Sequence, residues 1–375
     1  MKALRTENFR ALCAEYGISA KTGYKWQRRL LRYGLMGMAE LSRRPNRSAN
    51  ELGEAVVCEI VRLKQAHPHW GPRKIRELYQ RAHGPAASES SFKRILERAG
   101  LTEPRRRRQR AEAAGRLGKT RRGQAPNEVW TVDFKGWWYD PQGKRCEPLT
   151  VRDEHSRYLL ELRRLPDART TTIQECFERL FQRHGLPAAI RSDNGRPFAS
   201  TSALWGLSRL SAWWIALGID LERGRPGHPQ DNGAHERMHR DIGAELQPCT
   251  TAQAALDLWR EQFNQQRPHE ALGMRCPAEL YRDSDRAYAG SPADLDYPGM
   301  DTRKVGQLGV IHWCGRPWFL STSLDGWSVG LQPLPSGQQQ VWFGRLLLGW
   351  LDSSTESFQR ADVRPLEGAH DNQNM

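Results

Sequence analysis

The stretch Glu-Val-Trp-Thr-Val-Asp-Phe-Lys-Gly at residues 128–136 decides the fold of the longest part of this chain. Trp130, Val132 and Phe134 alternate with polar residues, and this period of two predicts a β-strand with one apolar face. Asp133 falls on the opposite face of that strand. An acid that points away from the core of a predicted sheet is a candidate for chemistry.

Two further acids stand in recognisable settings downstream. Asp193 lies in Ile-Arg-Ser-Asp-Asn-Gly-Arg-Pro-Phe at 190–198, at the end of a predicted strand, and Glu236 lies on a predicted helix in His-Pro-Gln-Asp-Asn-Gly-Ala-His-Glu-Arg-Met-His-Arg at 228–240. Taken alone, an Asp-Asn-Gly is usually a turn and a helical glutamate is usually solvated. The joint pattern of Asp133, Asp193 and Glu236 is more informative than any one acid.

Three carboxylates brought together raise one another's pKa, and a bound divalent cation reverses that penalty. Oxygen ligands favour Mg²⁺ or Mn²⁺ over zinc. Two such ions, about 3.5–4 Å apart, can activate a nucleophile and stabilise the leaving oxygen in phosphoryl transfer. The acids therefore predict a two-ion site that acts on nucleic-acid backbones.

The segment around these acids predicts an α/β domain over residues 128–281. The order of its elements is three strands, then helix, strand, helix, strand and helix, which implies a mixed five-stranded sheet flanked by helices. One of these helices is expected across 202–218, in Ser-Ala-Leu-Trp-Gly-Leu-Ser-Arg-Leu-Ser-Ala-Trp-Trp-Ile-Ala-Leu-Gly.

The amino-terminal third predicts two helical DNA-binding units. Residues 1–45 resemble a helix-turn-helix, with Gly17 ending the first helix and Ser19 capping the second. Residues 51–101 form a second unit, plain or winged, in which Pro72 opens one helix and Ser88 caps another. The DNA contacts expected from these units are Lys21, Thr22, Lys25, Arg28, Arg29, Arg73, Lys93 and Arg94. An ordinary helical hairpin with a solvated basic face is the alternative.

Charge is concentrated at the amino-terminal end of the chain. The 375 residues carry a formal net charge of +14, and residues 1–125 hold 29 Lys and Arg against 11 Asp and Glu. Residues 102–127, which include Arg105, Arg106, Arg107 and Arg108, show no apolar period and are expected to be a basic linker. Such a run either follows DNA phosphates or is a solvated tether, and a basic third can also be a solubilising surface.

The carboxy-terminal part returns to strands. Residues 282–302 are rich in Asp, Gly and Pro and are typical of a linker. Five short alternating runs follow within residues 303–352, a pattern that predicts a small β-barrel domain. The fold class expected overall is multidomain, with helix-turn-helix units, an α/β core and a terminal barrel.

Composition excludes several other classes of protein. The seven cysteines show no Cys-x-x-Cys pair, which argues against a disulfide framework and a cysteine-ligated zinc site. No apolar run approaches the length of a membrane span, and the amino terminus has no apolar signal segment. We expect a cytoplasmic protein without membrane contact.

Four motifs together resemble those of retroviral-integrase-like DDE transposases of bacterial insertion sequences. They are Trp-Thr-Val-Asp-Phe-Lys-Gly, Arg-Ser-Asp-Asn-Gly-Arg-Pro-Phe, the Glu236 motif, and Phe-Asn-Gln-Gln-Arg-Pro-His-Glu-Ala-Leu-Gly at 263–273. The resemblance covers about residues 10–350, and it implies a ribonuclease-H-like core with Asp133, Asp193 and Glu236 as metal ligands. It also implies cleavage of double-stranded element ends, joining of the 3′-OH to target DNA, and a homo-multimer that holds two ends.

The same resemblance suggests further contacts and shows one departure. Asn194 and Gly195 are expected to shape the loop after Asp193, and contacts with the bound DNA are expected at Asn194, Gln230, Asn232 and Arg240. Relatives often carry a basic residue seven positions after the glutamate, where this chain has Gly243. The alternatives are therefore a catalytically retired DNA-binding protein or repressor derived from such an element, and a nuclease or resolvase that cuts without joining.

Overall fold

The computed structural model describes residues 8–40, 52–102, 123–193, 195–200, 203–223, 233–246 and 251–361. Two compact units divide the chain, residues 1–58 and residues 59–375. The expected domain boundaries remain predictions. No helix in the described ranges is both long enough and apolar enough to cross a lipid bilayer.

The first unit contains the predicted pair of helices. α1 spans Phe9–Glu15 and α2 spans Ala20–Tyr33, followed by a 3-10 turn at Gly34–Met38. Gly17 has a φ of +65° between the helices, and the Ser19 hydroxyl accepts a hydrogen bond from the backbone N–H of Thr22 at 3.1 Å. The turn and the cap therefore form as the sequence predicts.

Three helices of the second predicted helical region follow. α3 spans Glu54–Ala66, α4 spans Pro72–His83 and α5 spans Glu89–Arg98. Pro72 lies in the first turn of α4, and Ser88 caps α5 through the N–H of Ser91. Ile60, Ile75 and the α5 residues Phe92 and Leu96 are buried.

A mixed five-stranded sheet forms the centre of the second unit, as predicted. Its strands are β1 (Val129–Phe134), β4 (Pro148–Asp153), β5 (Leu159–Arg164), β6 (Ala189–Ser192) and β7 (Asp220–Arg223). The order is β5-β4-β1-β6-β7; β1 pairs antiparallel with β4 and parallel with β6, which is parallel to β7. The carboxyl ends of β1, β6 and β7 therefore lie at one edge.

Four helices accompany this sheet. They are α6 (Thr170–His184), α7 (Arg209–Ala216), α8 (Gly233–Glu245) and α9 (Gln253–Gln265). Trp130 and Val132 of β1 pack with α6 and α7 residues in the largest apolar cluster, so β1 has the predicted apolar face. A short hairpin of β2 (Trp138–Tyr139) and β3 (Arg145–Cys146) was not predicted.

The helix expected across 202–218 is wrong in its first half. Leu204–Gly206 form a 3-10 turn in which Trp205 has a φ of 57°, and α7 begins only at Arg209. Ser208 and Ser211 form a capping box at this point. A capping serine satisfies the free N–H groups of a helix start, so α7 begins after Ser208 although apolar residues precede it.

The carboxy-terminal strands form an open sheet. Its strands are β8 (Asp301–Lys304), β11 (Ser328–Pro333), β12 (Gln339–Phe343), β13 (Leu346–Asp352) and β14 (Ser357–Arg360), while β9 (Val310–Trp313) and β10 (Arg316–Phe319) form a separate pair. The expected small barrel is not confirmed, because the five described strands run in the order β14-β13-β12-β11-β8, with β14 and β8 at the edges. All five predicted runs form strands, and β8 and β14 are additional.

The segment expected to be a linker at 282–302 packs along the α/β core. Arg286 donates hydrogen bonds to the carbonyls of Pro187 and Gly218, and Tyr288 packs against the main apolar cluster. The Asp-, Gly- and Pro-rich composition identifies irregular backbone correctly, but these anchors keep the segment on the core.

Candidate active site

Asp133 lies near the carboxyl end of β1, at the edge of the sheet where the parallel strands end. Burial first, and then the negative charge of Asp193, raises the pKa of the Asp133 carboxyl from 3.8 to about 7. Glu236 acts in the same direction with a smaller effect. The three predicted acids therefore share one electrostatic neighbourhood, although they are far apart in sequence.

Asp193 directly follows β6, which pairs parallel with β1, and its side chain is exposed. The Asp193 carboxylate lies over Gly195: a Cβ atom at Gly195 would come within 2.8 Å of Asp193 Oδ2. No side chain fits this approach without a shift. A side chain at position 195 would displace the exposed Asp193 carboxylate, so glycine leaves this position of the carboxylate undisturbed.

Arg223 holds the loop that carries Asp193. It is the last residue of β7 and lies opposite Ser192 in the sheet register. Its guanidinium donates hydrogen bonds to the carbonyls of Phe198 at 2.9 Å, Gly206 at 3.2 Å and Asp193 at 3.4 Å, and to the Ser192 hydroxyl at 3.3 Å. Burial lowers the Arg223 pKa to about 10, so the side chain stays protonated at neutral pH.

Glu236 lies in the first turn of α8 and is exposed. The preceding residue, His235, is fully buried and fastens the helix to the sheet. Its Nδ1 lies 2.8 Å from the Thr131 hydroxyl of β1, and its Nε2 lies 2.6 Å from the Thr150 hydroxyl of β4. Burial lowers the pKa of His235 well below 6.5, so the ring is neutral.

His239, one helical turn after His235, extends this network toward Asp133. Its Nε2 lies 2.8 Å from the Thr150 hydroxyl, which donates to the Asp133 carbonyl at 2.9 Å. Its Nδ1 lies 3.8 Å from Asp133 Oδ2. Burial lowers the His239 pKa to about 3. Thr150 thus joins the strand that carries Asp133 to the helix that carries Glu236.

The donor chemistry of this site fits a divalent cation, because carboxylate oxygens supply both the negative charge and the hard ligands that Mg²⁺ and Mn²⁺ prefer. Burial and the charge of Asp193 both raise the pKa of Asp133, and a cation bound beside the carboxylate would lower it. Among the described residues, however, no three His, Cys, Asp or Glu side chains are gathered closely enough to hold a metal ion.

The predicted DNA contacts of the first unit all lie on α2. Lys21, Thr22, Lys25 and Arg28 are exposed. Arg29 differs, because its guanidinium stacks on Trp26 at 4.5 Å and donates to the carbonyl of Ala39. These contacts engage Arg29 within its own unit, which leaves the other four residues as the exposed predicted surface.

The predicted contacts of the second helical region are exposed but mostly paired. Arg73 bonds Glu89 at 2.7 Å and Glu270 at 3.1 Å, and Lys93 lies 3.6 Å from Glu97. Arg94 contacts the carbonyl of Ser90 on its own helix. Arg240 is exposed on α8. The remaining predicted contacts lie outside the described residues: Arg105, Arg106, Arg107, Arg108, Asn194, Gln230 and Asn232.

Sequence reasoning missed the groups that support the three acids. His235 and His239 flank Glu236 four residues apart, a spacing that places both on one helix face. That spacing could have identified the two histidines from the sequence. No sequence pattern identifies Thr150 and Arg223, because a threonine in one strand and an arginine at the end of another are ordinary until the sheet order is known.

Comparison with known proteins identifies three matching regions. The family described as Integrase core domain matches residues 123–229, and a second Integrase core domain family matches residues 217–277. A Homeodomain-like domain matches residues 22–96. The last match overlaps parts of both predicted helix-turn-helix regions.

Similar proteins come from bacterial insertion elements and retroviruses. The uncharacterized 31.7 kDa protein of insertion element IS407 from Burkholderia multivorans is 29% identical over 64% of this chain and 85% of its own length. The uncharacterized 39.2 kDa protein of IS476 from Xanthomonas euvesicatoria is 28% identical over 60% of this chain and 64% of its own. The Gag-Pol polyprotein of bovine immunodeficiency virus is 30% identical over 42% of this chain, but over only 10% of the polyprotein.

Among solved structures, the catalytic core domain of bovine immunodeficiency virus integrase is 26% identical and covers 41% of this chain and 93% of its own, with a TM-score of 0.33. The integrase-core matches and the insertion-element relatives agree with the order and setting of the sequence motifs. Together these matches support a DDE transposase or integrase of an insertion element, with an integrase core domain over residues 123–277.

Proposed function

We propose that this protein cleaves the DNA ends of its element and joins the freed 3′-OH to target DNA. Asp133, Asp193 and Glu236 are the proposed metal ligands and catalytic carboxylates. The metal is Mg²⁺ or Mn²⁺, and two ions are expected. When bound, the ions supply charge stabilisation to the attacking and leaving oxygens of an in-line displacement.

One observation carries this proposal. The pKa of Asp133 is raised to about 7 by burial together with the charges of Asp193 and Glu236. Strongly perturbed carboxylates are concentrated at functional sites, and structural ion pairs would shift the pKa in the opposite direction. A half-buried acid whose pKa is raised by two other carboxylates is destabilised when ionised, and a bound cation would relieve that cost.

Both proposed reactions exchange one phosphorus–oxygen bond for another. In cleavage, a water oxygen attacks the phosphorus atom and the 3′ oxygen departs with a proton. In joining, that 3′-OH attacks a phosphodiester of the target, and the target's own 3′ oxygen departs. The protein contributes by positioning its carboxylates. Gly195 and Arg223 contact the Asp193 loop, and His235 anchors the first turn of α8 to the sheet.

DNA recognition is proposed for the basic amino-terminal region. Lys21, Lys25 and Arg28 project from the second helix of a helix-turn-helix, the element that enters the major groove in such units. Two element ends must be held together for joining, so we propose that a homo-multimer acts.

The test uses the purified protein, Mg²⁺, duplexes carrying the DNA that flanks its gene, and a plasmid target. The readout is covalent linkage of duplex 3′ ends to the plasmid. Asp193→Asn is expected to bind the duplex normally and to abolish both cleavage and joining. Exposed Asp285 serves as the matched control, because Asp285→Asn removes one carboxylate from the same unit.

The possible outcomes separate the three functions. Joining by the wild type and by Asp285→Asn, but not by Asp193→Asn, supports the proposal. Specific binding without any cleavage favours the retired DNA-binding protein. Cleavage without joining favours a nuclease. Equal activity of Asp193→Asn and the wild type would refute the assignment of the carboxylates.

A further inference from the structure

The β2–β3 hairpin, which separates β1 from β4, has two chemically different faces. Trp138 and Cys146 point inward and are buried in an apolar cluster with Met238 and Ile242 of α8. The adjacent residues Trp137, Tyr139 and Arg145 lie on the other face. The hairpin is thus fastened to the helix that carries Glu236, and its outer face is left open.

That outer face exposes two large aromatic side chains. Trp137 is 56% exposed and Tyr139 is 57% exposed, and their ring centroids lie 5.4 Å apart. All fourteen tryptophans of the chain fall within the described residues, and of these Trp137 alone is exposed, while the others are buried or half-buried. Keeping both rings in water forgoes the stabilisation that burial would supply, so a packing role does not explain them.

Two basic residues of the hairpin accompany these rings. The Arg145 guanidinium lies 5.5 Å from the centroid of the Trp137 ring, and exposed Lys144 is adjacent in the turn. Among the nearby acids, Glu147 pairs with Arg145 at 2.8 Å, and Asp140 accepts hydrogen bonds from Lys144 N–H and the Thr251 hydroxyl. Lys144 and Arg145 therefore lie beside the aromatic face, and the charge of Arg145 is shared with Glu147.

The hairpin also lies next to the carboxylates in the chain. Asp133 is near the end of β1, and Trp137 follows four residues later. The same edge of the sheet holds the end of β6 and Asp193. An exposed aromatic pair with cations therefore stands at the edge of the sheet where the proposed reaction takes place.

We propose that Trp137 and Tyr139 form a stacking site for unpaired DNA bases at the reacting end. Aromatic rings combined with positive charge bind single strands, because every base presents a π-face and every linkage a phosphate. A paired duplex hides the faces of its bases, so the site takes a frayed or single-stranded segment. The proposal rests on the proposed function for its location, but stacking itself needs no catalysis.

The test compares two DNA ligands in EDTA by fluorescence anisotropy. One is a blunt duplex and the other is the same duplex with a short unpaired 3′ tail of thymidines. The ratio of the two affinities cancels the contribution of protein elements that bind paired DNA. One stacked base is worth a factor of about 5 to 150 in affinity. The wild type is expected to prefer the tailed duplex by a factor in this range.

Trp137→Ala and Tyr139→Ala are each expected to remove most of this preference, while Trp137→Phe retains it because the ring is kept. Phe319, which is 59% exposed on β10, is the matched control: Phe319→Ala is expected to keep the wild-type ratio. A tail preference unchanged in Trp137→Ala and Tyr139→Ala overturns the proposal, as does equal loss in Phe319→Ala. A wild type without tail preference overturns it as well.

Failure of the proposed function gives a different result. If the protein neither cleaves nor joins DNA but the tail preference depends on Trp137, the stacking site stands and the reaction does not. If joining proceeds but the preference is absent, the stacking site alone fails. Quenching of 2-aminopurine placed in the tail provides an independent signal of stacking.

Discussion

Replacing Arg223 by methionine tests whether one side chain holds the loop of Asp193 in place. Methionine keeps an unbranched apolar stem but removes the guanidinium. The two shorter hydrogen bonds that are lost lead to the carbonyls of Phe198 at 2.9 Å and Gly206 at 3.2 Å. Both carbonyls belong to the backbone between β6 and α7.

The magnitude follows from these two bonds. A hydrogen bond with a charged donor contributes about 1.5–3 kcal/mol. Because Arg223 is partly exposed, we take the lower end for each bond, and local opening of the loop becomes easier by about 3 kcal/mol. Since each 1.4 kcal/mol is a factor of ten, the equilibrium for opening rises by about 100-fold.

Hydrogen exchange measures this opening directly. The Ala199 N–H bonds the Gly195 carbonyl, and the Ser200 N–H bonds the Gly206 carbonyl. In Arg223→Met, both amides are expected to exchange about 100-fold faster, while β1 amides keep their rate. Arg209→Met is the matched control, because Arg209 is 69% exposed and its ion pair with Asp325 lies at the surface.

The assay also separates a positioning role from general destabilisation. Metal-dependent cleavage is expected to fall in Arg223→Met while duplex affinity is retained, and Arg223→Lys is expected to recover part of both the protection and the activity. Unchanged exchange at Ala199 and Ser200 in Arg223→Met would refute the reasoning. So would equal acceleration throughout the sheet.

Three further outcomes are expected. Gly23→Ala places a Cβ atom against Cys13 Sγ, and this overpacking destabilises the first unit by about 1–3 kcal/mol; calorimetry checks the loss, and Cys13→Ala added to it is expected to restore stability. Burial lowers the pKa of His269 to about 2. Below pH 6.5 the His269 side chain is therefore protonated in the unfolded chain but stays neutral in the folded chain. The free energy of unfolding therefore falls by about 1.4 kcal/mol between pH 7.5 and pH 5.5 because of His269. In His269→Gln this contribution is expected to be absent, which urea unfolding at the two pH values checks. Gly243→Lys adds a cation to α8 and is expected to steepen the salt dependence of element-end binding by about one phosphate contact; an unchanged slope would exclude contact at this position.

Local patterns explain which parts of the fold could be predicted. Alternation in β1 and the caps at Ser19 and Ser88 act through immediate neighbours, so they are visible in sequence. The predicted start of α7 was wrong because the apolar run before Ser208 resembles the apolar face of a helix. The leucines of this run instead pack outside the helix. Leu204 and Leu207 pack against the carboxy-terminal sheet.

The sequence alone singles out the three acids as a group, and their shared role stays a prediction, but the contacts that hold them could not be predicted. Their residue types and settings are visible in the chain, and so is the spacing of His235 and His239. That Thr150 joins both histidines to Asp133 depends on β4 lying between β5 and β1. Sheet order is a property of long-range pairing, which no local pattern specifies.

The loop of Asp193 is supported from two sides, by β7 of the core and by the carboxy-terminal sheet. Arg223 holds the loop from β7, while the Trp205 indole donates to the Leu348 carbonyl of β13 at 3.1 Å. Leu207 packs in the apolar cluster of the sheet, and the Ser323 hydroxyl donates to its carbonyl at 2.7 Å. A carboxylate proposed as catalytic on an irregular loop needs such external support to hold its position. The carboxy-terminal sheet therefore contributes to the geometry of the proposed active site without supplying any of its three acids.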